Sequence, residues 1–275
     1  MSNILQVEFF RLKKSKVFWA LFGVSAGLPF VTAVIYVALM GFVEVIAGSD
    51  IGSMWEFIRM AGVAEATLGG TSSVMGDTTL LSVICVSIFL SRDFNNGTFR
   101  NMLLANKTRL EMYLSHLVMA VTIGACYFGV SFVSTLFIYG VVFGFGTLTF
   151  VKAFTGCLVA LVMGMVSVIF VQTMTCMFLF GTRKLAVALA CPIAICIFAP
   201  SFLLAFVQMY DVFNIFATGE LVSTDLSWIP LYNSGLLNIG DLDGALIGKI
   251  LMYNLPFSVL FGFMGWVTFR KADLK

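Results

Sequence analysis

Apolar positions dominate this chain in long runs, and the polar positions gather between them. Predominantly apolar stretches lie near residues 17–43, 74–91, 113–143, 151–180, 185–208 and 245–269. A helix needs about 20 apolar residues to cross the hydrocarbon of a bilayer, so each run predicts a transmembrane helix. The second is the shortest. Gly, Asn, Asp and Ser collect between the runs, where backbone groups must meet water or protein. The first run follows a basic stretch, as in a signal peptide. At 17–43 it exceeds the roughly 7–15 residues of such an apolar core, and no small-residue cleavage site precedes Glu44, so it reads as a retained span.

Two further segments have patterns of their own. Residues 3–16 set Ile4, Leu5, Phe9 and Leu12 at helical spacing, with Arg11, Lys13, Lys14 and Lys16 beside the first span. That predicts a helix lying in the membrane interface, its basic side toward anionic headgroups. Residues 209–244 mix Tyr210, Phe213, Phe216, Trp228, Pro230 and Tyr232 with acids. They are too apolar for a solvated loop and too interrupted for a span, which predicts partial helices at headgroup depth. Residues 44–73, with Gly48, Gly52, Gly62, Gly69 and Gly70, read as a soft loop or short helix.

Composition agrees with the pattern. Of 275 residues, 60% are hydrophobic and 11% charged, with a mean hydropathy of +1.02; soluble chains carry about 25% charged residues. The net charge of +2 matters less than its placement. With the N-terminus inside, thirteen basic residues fall on one side of the spans, among them Arg92, Arg100, Lys107, Arg109, Arg183, Lys184, Arg270, Lys271 and Lys275. Only Arg59, Lys152 and Lys249 fall on the other. The positive-inside rule then puts both termini in the cytoplasm and gives an even number of spans. By that topology the sequons at Asn96 and Asn106 are cytoplasmic and incidental. The expected fold is one all-α integral membrane domain over 1–275, with six spans, an interfacial helix and partial outer helices before the last span.

Candidate chemistry is sparse. There is no GxxxxGK[ST], HExxH or GxSxG motif, so no ATP, metal or ester chemistry is expected in this chain. The six cysteines all lie in apolar runs without metal-ligand spacing and read as buried reduced thiols. The one histidine, His116, stands where the third span leaves the inner interface and reads as a packing or anchoring group. Polar groups at mid-span (Gln172, Thr173, Thr175, Ser131, Ser134, Thr135) suit helix–helix hydrogen bonds rather than an ion path. Gly23 and Gly27 at GxxxG spacing, followed by Pro29, suggest close helix contact and a kink; Gly156, Gly164, Met163, Met165, Met174 and Met177 suggest a pliable packing face.

The most informative stretch lies between the second and third spans. Asn95-Asn96-Gly97 signals a turn, and Thr98 can cap a short helix showing Phe99, Met102 and Leu103 along one side, with Arg100 and Lys107 beside it. Asp93, Gly97-Thr98, Arg100, Leu103-Leu104 and Thr108-Arg109 together resemble the permease subunits of ABC transporters of the second exporter class (ABC-2 type). Asp93 stands where Glu is commoner, and Asn106-Lys107 where Pro or Gly often stands. The ending Phe269-Arg270-Lys271-Ala272-Asp273-Leu274 and the order of parts are similar to that family's as well.

The resemblance implies a homo- or heterodimer of such subunits, with two separate ATPase subunits that bind ATP and Mg, in a bacterial cytoplasmic membrane. It makes residues 94–106 a coupling helix, with Phe99, Arg100 and Leu103 at the ATPase and Arg92 and Asp93 in the turn above. Within the class the chain is most similar to Gram-positive permeases of bacteriocin or lantibiotic immunity and peptide export, so a hydrophobic or amphipathic peptide is the expected substrate. A channel or secondary transporter, an intramembrane enzyme, and a scaffold or sensor partnered with an ATPase are the other readings.

Overall fold

The computed structural model describes residues 2–47, 71–105, 108–142, 150–218, 228–230, 233, 236–237 and 243–271. Among these, every regular element is helical: α1 (Ser2–Lys14), α2 (Lys16–Ala47), α3 (Thr71–Asn95), α4 (Thr98–Leu104), α5 (Arg109–Val142), α6 (Phe150–Thr182), α7 (Leu185–Ile193), α8 (Ala199–Thr218) and α9 (Gly244–Lys271). A π-helical turn, Ala194–Phe198, joins α7 to α8 between Pro192 and Pro200. Among the described residues, five stretches are long and apolar enough to cross a membrane: Lys16–Ala38, Arg109–Val142, Phe154–Thr182, Leu185–Val207 and Gly244–Lys271. The helices overrun most of the expected spans at one or both ends, because hydropathy marks the hydrocarbon and helices continue into the interface. The expected second span, α3, is not among the five.

The reason lies in its position. α3 packs against α2, α5, α6 and α7, and Val83, Val86, Ser87 and Leu90 are wholly buried. A helix shielded by its neighbours can carry Thr78, Thr79, Ser82, Ser87 and Ser91 facing protein. Ser87 Oγ donates to Ala188 O at 3.2 Å, and Gln172 Nε2 donates to Ser82 Oγ at 2.8 Å. The outer helices show the opposite face. Phe30, Phe42, Phe137, Phe202, Phe206 and Phe263 are all exposed, a surface that fits lipid rather than water.

α6 is the hub, contacting α3, α5, α7 and α9. Met163 and Met174 are buried in its core, so its methionine face packs within the chain. α2 is tied to α5 by a reciprocal pair: Ser25 Oγ donates to Tyr127 O (3.2 Å), and Tyr127 Oη to Phe18 O (3.1 Å). Asn254 Nδ2 on α9 donates to Ser167 Oγ on α6 at 2.8 Å. The GxxxG expectation differs from what is found. A Cβ added at Gly23 or Gly27 meets nothing within 4 Å among the described residues, so the described helices make no close contact there. Close contact comes at Gly124 and Gly265 instead, where added Cβ atoms come within 2.7 Å of Val168 and 2.6 Å of Tyr113.

Residues 209–218 of the expected partial helices continue α8 as one helix. Beyond it, Ile229, Asn233 and Leu237 are buried, and Trp228 and Leu236 are exposed; positions 219–227, 231–232, 234–235 and 238–242 lie outside the described residues. So do 48–70 of the first expected outer segment. All six cysteines are free thiols.

Candidate functional site

One end of the bundle gathers the N-terminal helix, the α3–α4 turn, the start of α5 and the ends of α6 and α9. α1 arrives there through a one-residue break at Ser15, whose Oγ accepts from Phe18 N at 3.4 Å. Ile4, Glu8 and Leu12, four residues apart, face inward and are buried. Phe9 does not share that stripe; it is exposed together with Val7 and Phe10. The helix therefore has one face on protein and another apolar face that protein leaves open.

The inward face carries a charge network. Arg11 Nη1 donates to Glu8 Oε1 (3.2 Å) and to Asp93 Oδ1 (3.0 Å) on α3. Asp93 Oδ2 in turn meets His116 Nε2 of α5 at 3.2 Å, and His116 Nδ1 meets Met112 O at 2.7 Å. A carbonyl only accepts, so Nδ1 carries a hydrogen. The Nε2 contact with a carboxylate then needs a second proton, on the imidazole or on Asp93. With that proton, and with Glu8 ionised, the four side chains are neutral as a set. Among the described residues, Glu8 Oε2 is buried without a hydrogen-bond partner. Burial, and then the charge of Asp93, push the Glu8 carboxyl above its ordinary value, against the pull of His116 and Arg11.

Glu8, Asp93 and His116 each offer one ligand atom within 4.8 Å of the others. This is the group among the described residues with donors suited to a metal ion, but the Arg11 guanidinium already supplies a cation to both carboxylates.

The short helix α4 is anchored to the same network. Asn96 and Gly97 form the turn that Asn-Asn-Gly predicts, with Gly97 at φ 66°, and α4 begins at Thr98. Phe99 is only 3% exposed. Its ring lies 4.5 Å from Phe94, 4.8 Å from His116, 5.6 Å from Phe269 and 6.0 Å from Phe180. Phe99 thus plugs α4 into the bundle instead of facing outward. Among the described side chains of α4, the exposed apolar one is Leu104, at 78%. Arg92 is exposed, Asp93 buried, and the side chains of Arg100 and Leu103 lie outside the described residues. Arg109 belongs to a different junction, its Nη1 donating to Arg270 O at the end of α9 (2.7 Å).

Sequence reasoning missed three members. Glu8 was hidden by the basic residues around it, yet an acid four residues from Ile4 and from Leu12 is a charge on the apolar stripe. Arg11 was grouped with the anchoring lysines. The capping box of α5 was legible as Thr108-x-x-Glu111: Glu111 N donates to Thr108 Oγ1 (3.2 Å) and Thr108 N to Glu111 Oε2 (3.4 Å). Comparison of the chain with family models, with curated proteins and with solved structures returns no match.

Proposed function

We propose that this chain is the membrane-spanning permease subunit of an ATP-driven ABC-2 type exporter, with α4 as the helix that receives the stroke of a separate ATPase. The observation that supports this most is the seating of Phe99. A seven-residue helix has little stability alone, but this one is locked by an aromatic side chain against α3, α5, α6 and α9. A push on α4 is thereby transmitted to four long helices, and through Asp93–Arg11 to α1. That is the mechanical requirement for coupling nucleotide-driven closure to the membrane part.

In this reading α3 is the sixth crossing. Its 25 residues span roughly 37 Å at 1.5 Å per residue, enough for the hydrocarbon, and its polar side is screened by neighbours. The basic end is cytoplasmic, with both termini, in a bacterial plasma membrane. ATP and Mg belong to the partner, the subunit pairs with a second copy or paralogue, and the substrate is a hydrophobic or amphipathic peptide.

The test is purification of the tagged chain in mild detergent after expression with its genomic neighbours. Stoichiometric recovery of an ATP-binding subunit, with ATPase activity uncoupled from export by Arg100→Glu or Leu103→Asp, is the expected result. A chain that purifies without such a subunit sinks the reading in favour of a channel or scaffold; normal export by either variant removes the coupling role of α4.

A further inference from the structure

Between α1 and the end of α3 lies a cavity of about 350 Å³. Phe10 and Phe89 give it apolar walls, and Arg11, Lys14, Arg92 and Asn96 bring polar groups to it. Its volume falls within the range of small-ligand sites. The one carboxylate in its lining, Asp93, is engaged on both oxygens, by Arg11 and by His116. Lys14 Nζ rests 4.3 Å over the Phe10 ring, and neither Lys14 nor Arg92 is paired with a carboxylate among the described residues. The cavity therefore holds two positive charges that no carboxylate among the described residues answers.

We infer that this cavity binds the phosphate-bearing headgroup of an anionic phospholipid, held by Lys14 and Arg92. Phosphate is the chemistry that two separate cations and an amide N–H donor suit, by charge-assisted hydrogen bonds. A lipid source is favoured by the surroundings. Phe10 at its mouth is exposed, and so are Val7, Phe9 and Trp19 nearby, with the first span starting at Lys16. Arg11 lines this cavity while holding Glu8 and Asp93, so an occupant adds a third anion beside its guanidinium and links lipid composition to the seating of α1. The inference needs a bilayer but no ATPase, and it stands or falls apart from the exporter reading.

The experiment is native mass spectrometry of the full chain released from bilayers of equimolar phosphatidylglycerol and phosphatidylcholine. The wild type is expected to retain phosphatidylglycerol in clear excess. K14Q/R92Q loses the excess and falls to parity, while K14R/R92K keeps it and R270Q/K271Q, at the end of α9, changes nothing. All variants are checked for a monodisperse elution and an unchanged melting temperature. An excess that survives in folded K14Q/R92Q, or vanishes equally in R270Q/K271Q, overturns the site. Should K14Q/R92Q fail to fold, the single variants K14Q and R92Q carry the same test, each expected to lower the excess. Millimolar glycerol 3-phosphate that displaces the retained lipid from the wild type overturns the lipid source and assigns the cavity to a soluble phosphate; failure to displace it supports the headgroup.

Discussion

Arg11 and Asp93, 82 residues apart in sequence, meet at 3.0 Å and pin the N-terminal helix to the end of α3. Without the guanidinium, Glu8 and Asp93 would face each other as two buried carboxylates. The arginine side chain is 43% exposed, so solvent screens part of the pairing. Arg11→Gln is expected to cost about 1–2 kcal/mol rather than the 3–5 of a fully buried pair. Hydrogen exchange should rise selectively over α1, and E8Q/R11Q should recover part of the loss. Unchanged protection of α1 in Arg11→Gln would show that Ile4 and Leu12 hold the helix alone.

His116 fills space as well as bonding. It lies beneath Phe99 and beside Phe180, fully buried, with Asp93 on one nitrogen and Met112 O on the other. His116→Ala leaves a hollow under α4 and strips Asp93 Oδ2 of its partner, at a cost of about 3 kcal/mol. Adding Asp93→Asn should cost less than the sum of the two single changes, with a coupling of roughly 1 kcal/mol or more. Additive melting-temperature shifts would mean the 3.2 Å contact contributes nothing of its own.

The hydropathy pattern carried the five stretches long and apolar enough to cross a membrane, because lipid-facing surface forces apolar runs whatever the details of packing. It also carried the Asn95-Asn96-Gly97 turn, since a positive φ at Gly97 is a local backbone demand. It carried less where tertiary contact decides. α3 reads as the weakest span because its neighbours let it be polar. Phe99 reads as a docking residue because an amphipathic pattern does not say which side faces its own chain. The pairing of Arg11 with Asp93 has no local signal at all, and Glu8 is visible only once α1 is known to press on α5 through Ile4, Glu8 and Leu12.

Glu8 gives the network a pH dependence of defined sign. Burial and the nearby Asp93 raise its carboxyl above 4.5, despite Arg11 and His116. The folded chain therefore holds this proton more tightly than the unfolded chain. Its contribution is fully present below the unfolded value and is lost as pH rises through the folded one. Between about pH 4.5 and neutrality, the wild-type melting temperature should fall relative to that of Glu8→Gln, which keeps the shape without the titration. A constant difference between the two across that window would mean Glu8 does not titrate differently on folding.

The glycines offer the sharpest comparison of close packing with open space. At Gly265, on α9, an added Cβ would lie 2.6 Å from Tyr113 Oη and 3.2 Å from Met177 Cα. The hydroxyl is already committed, donating to Gly262 O at 2.7 Å, and the Met177 contact is backbone that cannot turn aside. Gly265→Ala thus either breaks the Tyr113 bond or pries α9 from α5 and α6, and should cost about 1–3 kcal/mol. At Gly23 an added Cβ meets nothing within 4 Å among the described residues. There alanine removes the conformational freedom of glycine in mid-helix, a gain of roughly 0.5–1 kcal/mol. Melting in detergent should therefore place Gly265→Ala below the wild type and Gly23→Ala at or above it. The reverse order would mean that α9 does not sit against Tyr113 and that α2 is the helix in close contact. A Gly23→Ala chain that keeps its monomer melting temperature but loses self-association would instead put a second copy against the Gly23–Gly27 face, where the sequence spacing allows one.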